Sequence, residues 1–87
     1  MVRRYIKKPA AIEAVRWTGY NFNEIQDFVG IGNVHFMRET NPPKIYIVTE
    51  TGAVYALPGD YVTKDSSGEV LTYTKKVFDA YFEEASE

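Results

Sequence analysis

The spacing of hydrophobic residues changes along the chain from every second residue to about every 3.6 residues and back, and each change indicates a new element. Between Ala11 and Thr18, apolar residues fall on both alternating sets of positions, and Glu13 interrupts one of them, which predicts a strand with both faces partly covered. Asn21 then resembles a helix N-cap, and Gly30 a left-handed C-cap. Apolar residues between these two recur at helical spacing, which predicts a helix of about two or three turns.

From Val34 onward, apolar residues recur at every second position, as is typical of strands. Turn signals interrupt this pattern at residues 40–43, at Thr51-Gly52, at residues 57–60 as a type II turn, and at residues 65–68. The predicted strands are Val34–Glu39, Lys44–Glu50, Ala53–Leu57, Tyr61–Lys64 and Glu69–Thr74.

The last apolar stripe, from Val77 to Ala85, returns to helical spacing and predicts an amphipathic helix that begins near Thr74. The predicted order is therefore β-α-β-β-β-β-β-α, and its short turns favour a mainly antiparallel sheet. Strand twist and the Pro58-Gly59 corner could curl this sheet into a partial barrel. We predict an α+β fold in a single small domain, residues 1–87, with two short helices.

Length and composition exclude several classes of protein. The chain has 87 residues, no cysteine and a formal net charge of −2. Without cysteine there is no disulfide scaffold and no thiolate metal site, and no apolar run approaches the roughly 20 residues that span a membrane. Residues 1–8 are basic but lack an apolar core, so we expect no secretory signal. The near-neutral charge is also unlike that of a general nucleic-acid binder.

The sequence shows no recognised catalytic or metal-binding arrangement. His35 is the single histidine, and a metal site needs three or four converging ligands. We therefore expect a non-enzymatic protein without a cofactor or metal. The enzymatic alternative is a pair of carboxylates that meet in one cleft, drawn from Glu13, Glu50, Asp60 and Glu69.

Charged residues are segregated between the two ends of the chain. Residues 79–87 are acidic, and the basic residues of the opposite end are Arg3, Arg4, Lys7 and Lys8. Two solvated surfaces are the simplest interpretation, since exposed ion pairs contribute about 0–1 kcal/mol. The functional interpretations are complementarity between neighbouring copies or binding of an acidic partner.

Lys75 and Lys76 begin the last predicted helix, where the helix dipole disfavours cations. The N–H groups near Thr74 and the two ammonium groups could bind a phosphate or a carboxylate. The alternative is a surface lysine pair that the amphipathic stripe tolerates.

Aromatic residues make up 15% of the chain, including seven tyrosines, and fall into two predicted groups. Tyr46 should face outward if Ile45 and its i+2 neighbour face the core, and Tyr55 and Leu57 could pair with the outward residues across the hairpin. This surface is either cover beneath a helix or a binding face, since tyrosine is enriched at interfaces. The helical phenylalanines are predicted to belong to the core: Phe22, Phe28, Phe78 and Phe82.

Residues 5–9 (YIKKP) and 12–19 (IEAVRWTG) resemble the opening of a family of small phage and prophage proteins with no established activity. The resemblance continues through Phe28-Val29-Gly30 and the Pro58-Gly59-Asp60-Tyr61 turn, and covers almost the whole chain. Further matches are Lys64, Gly68-Glu69, Val77-Phe78 and Tyr81. One departure is Lys75-Lys76-Val77, where relatives often have Lys-Pro-Asp.

The resemblance implies a phage or prophage accessory protein of the bacterial cytoplasm, and it implies no catalytic residue. Together with the residues, it favours a binding module that modulates a host protein or sequesters a small anionic ligand, and that self-associates as a homo-oligomer. The alternative is a nucleic-acid-binding regulator that uses residues 3–8, whose affinity would fall steeply with salt.

Overall fold

A computed structural model of the chain describes residues 12–82. The elements follow the predicted order, with bounds shifted by a few residues. They are β1 Glu13–Arg16, α1 Phe22–Val29, β2 Val34–Met37, β3 Lys44–Thr49, β4 Gly52–Ala56, β5 Tyr61–Lys64, β6 Val70–Tyr73 and α2 Lys75–Tyr81. Residues 3–8 and the predicted end of the last helix at Ala85 lie outside the described residues.

The α+β fold is confirmed, but the strands form two sheets instead of one. Each is a three-stranded antiparallel sheet, with orders β1-β5-β6 and β2-β3-β4. Within residues 12–82 the strands do not close into a barrel. β4 and β6 lie side by side, and the Thr72 hydroxyl donates to the Tyr55 carbonyl at 2.9 Å. This side-chain bond joins the sheets where a backbone ladder would have continued them.

The core lies where α1 and the inner faces of both sheets meet. Its fully or almost fully buried side chains are Trp17, Ile25, Val34, Ile45, Ile47, Ala56 and Val62. Each large aliphatic side chain buried in this way contributes about 1.5–3 kcal/mol. Phe22 and Phe28 only partly meet the expectation, because they pack against this cluster and are partly buried.

The Pro58-Gly59 turn joins the two sheets and holds the end of β1. Gly59 has φ +102°, which a type II turn requires at its third residue, and the Asp60 N–H donates to the Leu57 carbonyl at 2.9 Å. The Gly59 N–H donates to the Trp17 carbonyl at 2.6 Å, and the Trp17 N–H donates to the Asp60 carbonyl at 2.8 Å. The turn therefore fixes the position of the buried tryptophan.

The start of α1 differs from the prediction. Asn21 occupies the N-cap position, but its side chain makes no capping bond to the helix. Its Oδ1 accepts from the Thr18 N–H at 2.9 Å, and its Nδ2 donates to the Arg16 carbonyl at 2.8 Å. The amide closes the turn between β1 and α1, and its Nδ2 also donates to the Glu24 side chain in the first turn of the helix at 2.7 Å. Gly30 has the expected positive φ of +126°, but its ψ of 136° lies outside the left-handed helical region.

Helix α2 begins as predicted and packs differently. The Thr74 side chain accepts from the Val77 N–H, yet no side chain of α2 is buried. The prediction that Phe78 and Phe82 belong to the core is therefore wrong. They form a separate half-buried cluster, in which Phe78 stacks on Tyr61 and Phe82 meets Tyr73 edge-on.

Candidate functional site

Three aromatic rings lie in a row across the β2-β3-β4 sheet. His35 lies opposite Tyr46 on the neighbouring strand, and Tyr46 lies opposite Tyr55 on the next. The His35 and Tyr46 ring centroids are 4.6 Å apart with planes 15° from parallel, and those of Tyr46 and Tyr55 are 6.0 Å apart at 44°. The register of the sheet therefore assembles the row.

Strand alternation turns this row outward. Ile45 and Ile47 on β3 are completely buried, so Tyr46 between them and Val48 beyond them point to the opposite face. The predicted pairing of Tyr46 with Tyr55 is confirmed. The predicted involvement of Leu57 is wrong, because Val48 lies opposite Ala53 and β4 ends before Leu57.

The outer surface of this sheet combines exposed apolar area with cationic and donor groups. Tyr55 exposes 54% of its surface and Val48 48%, while Lys44 holds its ammonium 5.2 Å from the centre of the Tyr55 ring. Phenol hydroxyls, an imidazole and an ammonium are the polar groups offered there. We call this surface, made of His35, Lys44, Tyr46, Val48 and Tyr55, the aromatic face.

The rings of the aromatic face also contact each other. Tyr46 has His35 stacked on one side and Tyr55 on the other, and Lys44 lies over Tyr55. Base stacking requires an accessible ring face, and at Tyr46 the rings of His35 and Tyr55 lie on the two sides. The surface therefore presents ring edges and hydroxyl groups, which suit contacts with a protein better than stacking of a nucleobase.

The two lysines of the predicted site at the start of α2 differ in their contacts. The Lys75 ammonium forms an i,i+4 ion pair with Asp79, and the hydrogen bond and charge of Asp79 raise the pKa of Lys75. Lys76 is exposed, and Thr74 already accepts the Val77 N–H. Lys64, at the end of β5, donates its ammonium to the Phe28 carbonyl at 2.8 Å and thereby links β5 to α1.

Four other predicted site residues lie outside the described residues 12–82, namely Arg3, Arg4, Lys7 and Lys8. Within residues 12–82, no group of three or more His, Cys, Asp and Glu side chains is placed to hold a metal ion. In the same part of the chain, no helix has the length and apolar character needed to cross a membrane.

The four candidate carboxylates do not converge, although Glu50 and Glu69 line one groove. The groove has a volume of ≈ 730 Å³ and lies open between the β3-β4 and β5-β6 turns. Glu13 lies opposite Lys64 on β5, and Asp60 accepts the Leu57 N–H in the turn at the other end. Both groove carboxylates are exposed, unlike a catalytic pair in a closed cleft.

Sequence reasoning missed this groove and the cluster of Tyr61, Tyr73, Phe78 and Phe82. The Tyr61-Phe78 stack has its centroids 4.0 Å apart and its planes 8° from parallel. The sequence signal for this cluster was the pair of phenylalanines at i,i+4 in the last predicted helix. The tyrosines that they contact could not be identified, because the sequence does not show which strands lie beneath α2.

Comparison with known proteins gives no relative for this chain: no family model, no curated protein and no solved structure matches it.

Proposed function

We propose that this chain is a non-enzymatic binding module, an accessory protein of a phage or prophage that modulates a host protein in the bacterial cytoplasm. The aromatic face is its contact surface. The resemblance of residues 5–19 and 58–61 to small phage proteins supports the origin, and the geometry of the face supports the mode of binding.

The observation that carries the proposal is the outward-facing row of His35, Tyr46 and Tyr55, held in register by three paired strands. Rigid aromatic side chains with a polar tip bind protein surfaces at low entropic cost, and they dominate interface hot spots. A strand framework holds them more precisely than a loop would.

The chemistry of the face defines the partner surface it fits. Lys44 and the phenol hydroxyls of Tyr46 and Tyr55 are hydrogen-bond donors beside the apolar Val48. A complementary partner surface therefore carries a carboxylate or several backbone carbonyls next to aliphatic side chains. Burial of the Tyr55 ring on binding would remove the largest exposed apolar group of the row from water.

The test uses variants that alter the face and leave the fold intact. The tagged chain is expressed in a bacterial host, crosslinked, and compared with the variant Lys44→Glu/Tyr55→Thr. The matched control is Tyr20→Thr, because Tyr20 is 96% exposed and lies outside the face.

We expect a host protein to be retained by the wild type and by Tyr20→Thr, and lost by Lys44→Glu/Tyr55→Thr. Loss of one hot-spot side chain costs at least about 2 kcal/mol, which weakens binding about 30-fold in a titration with the purified partner. Equal binding by all variants would refute the role of the face. Capture of nucleic acid that is released by moderate salt would instead support the regulator alternative.

A further inference from the structure

The groove between the β3-β4 and β5-β6 turns is a second surface with the dimensions of a binding site. Its volume of ≈ 730 Å³ lies within the range of about 300–1,000 Å³ that is usual for ligand pockets. Its described lining comes from the end of α1 with Asn33, from residues 48–51 and Val54 of the first hairpin, and from residues 67–71 of the second. Val48 is the one described lining residue that also belongs to the aromatic face.

One wall of the groove is the outer edge of β6. Residues 67–71 line it in succession, and β6 is the last strand of the β1-β5-β6 sheet within residues 12–82. The Leu71 carbonyl accepts the Thr63 hydroxyl of β5 at 3.3 Å, so the Leu71 backbone points towards β5. Because backbone groups alternate in direction along a strand, the N–H and C=O of Val70 point away from β5.

Strand β4 lies beside β6 and leaves this part of the edge unpaired. The two strands meet at Thr72, whose hydroxyl donates to the Tyr55 carbonyl at 2.9 Å. In the part of the chain that the structure describes, no backbone hydrogen bond joins β4 to β6. An edge strand with unpaired N–H and C=O groups is a template on which a further strand can pair.

The side chains of the groove combine an apolar floor with acidic groups. Val29, Val54 and Val70 are partly buried and pack against the core. Glu50 and Glu69 are exposed and form no ion pair with another described residue. None of the described residues that line the groove is basic. The lining therefore complements a segment that carries both aliphatic and cationic side chains.

We propose that the groove binds an extended segment of a partner protein in which aliphatic and basic residues alternate. The segment adds to β6 as a further strand, and its backbone bonds to the N–H and C=O of Val70. Successive side chains of a strand point to opposite faces, so aliphatic residues contact Val29 and Val54 while Lys or Arg side chains lie beside Glu50 and Glu69.

The groove and the aromatic face select partners of opposite charge. The aromatic face offers an ammonium and phenol hydroxyls to a partner's carboxylates and carbonyls, whereas the groove offers carboxylates to a partner's cations. Binding in the groove therefore does not depend on the function proposed for the aromatic face, and each site can be tested while the other is left unchanged.

An NMR titration of the isotope-labelled full chain with synthetic peptides tests the proposal. The probe is a peptide of alternating Lys and Val, and its counterpart carries Glu in place of every Lys. We expect the Lys-Val peptide to shift the amide signals of Thr51, Val70 and Leu71, and to leave that of Gly59, in the turn at the other end of the strands, unchanged. The Val70 amide should exchange with solvent at least about 10-fold more slowly in the complex. The Glu-Val peptide should shift none of these signals, and equal binding of the two peptides would overturn the charge selectivity.

Charge reversal tests the role of the two carboxylates. The variant E50K/E69K should bind the Lys-Val peptide at least about 10-fold more weakly and should gain affinity for the Glu-Val peptide. The matched control E39K introduces the same charge at an exposed position outside the groove and should bind like the wild type. Unchanged affinity of E50K/E69K for the Lys-Val peptide would refute this role.

Backbone methylation of the peptide tests the strand addition itself. Every second N–H of an added strand points towards β6, so a peptide methylated at all its Lys nitrogens and one methylated at all its Val nitrogens should differ. One should keep its affinity, and the other should lose it by at least about 10-fold. Equal affinities of the two methylated peptides, unchanged exchange of the Val70 amide, or the absence of any shift in the groove would each overturn the proposal.

Discussion

Removal of the Phe78 side chain should detach α2 from the sheet beneath it. The Phe78 ring stacks on Tyr61 with ring centroids 4.0 Å apart, and its centroid lies 5.0 Å from that of Phe82. No α2 residue is buried, so these half-buried rings carry the attachment of the helix. The Lys75-Asp79 ion pair lies within the helix itself and cannot hold α2 to the sheet.

The expected cost of Phe78→Ala follows from the area involved. A fully buried aromatic side chain removes about 150–250 Å² from water, so a half-buried one removes about 100 Å². At about 25 cal/mol per Å² this is about 2.5 kcal/mol. Alanine has a helix propensity better by about 0.5 kcal/mol, which leaves a net loss of about 2 kcal/mol.

Urea denaturation measures this loss, and amide exchange locates it. Val77→Ala is the matched control in the same helix, since Val77 is 40% exposed and its replacement should cost less than about 1 kcal/mol. In Phe78→Ala, the α2 amides should exchange faster, while those of Ile45 and Ile47 should follow global stability. Equal losses for the two variants would refute the attachment through Phe78. So would a loss of about 3–5 kcal/mol, which is typical of a true core phenylalanine.

Three further results are expected. Gly59→Ala should cost about 1–2 kcal/mol in thermal or urea unfolding, because φ at this position is +102°. A new Cβ would lie 3.7 Å from Arg16 Nη2, an ordinary contact, so the loss would come from the backbone, and unchanged stability would contradict this argument. Hydrogen bonds from the Ser67 side chain, and then from backbone N–H groups, lower the pKa of Asp65 below its ordinary 3.8. The stabilisation is therefore complete above about pH 4 and lost as the pH falls through the folded-state value, so the midpoint difference between wild type and Asp65→Asn should shrink in acid; a difference that grows there would contradict the assignment. Tyr55→Thr should cost about 0.2–1 kcal/mol, the range of a cross-strand pair, and a larger loss in urea unfolding would mean that Tyr55 supports the fold.

Local patterns predicted what depends on near neighbours in the chain. The alternation around Ile45 and Ile47 assigned the inner face of β3 correctly, and the Thr51-Gly52 turn set the register that pairs Tyr46 with Tyr55. Both follow from strand periodicity and turn position, which act over a few residues.

Pairing between strands far apart in the chain could not be predicted from local patterns. β1 pairs with β5, a partner far along the chain, and the bonds between Trp17 and the Gly59-Asp60 turn align the two strands. Periodicity identifies a strand but not its partner, so the division into two sheets stayed hidden. Asn21 shows the same limit at small scale, because an amide suited to capping was used to close the preceding turn.

The tyrosines illustrate how packing separates residues that composition treats alike. Tyr61 and Tyr73 pack against Phe78 and Phe82. These contacts within the fold offset the conformational entropy that the two tyrosine side chains lose on folding. The Tyr55 ring is more than half exposed, and its neighbours on the face are another ring and an ammonium group. Full burial of an aromatic ring contributes several times more than a cross-strand pair does, so most of the stabilisation available from Tyr55 is unused in the isolated chain. A partner that covers the aromatic face would gain that stabilisation as binding energy, and for this reason substitutions there should affect binding more than folding.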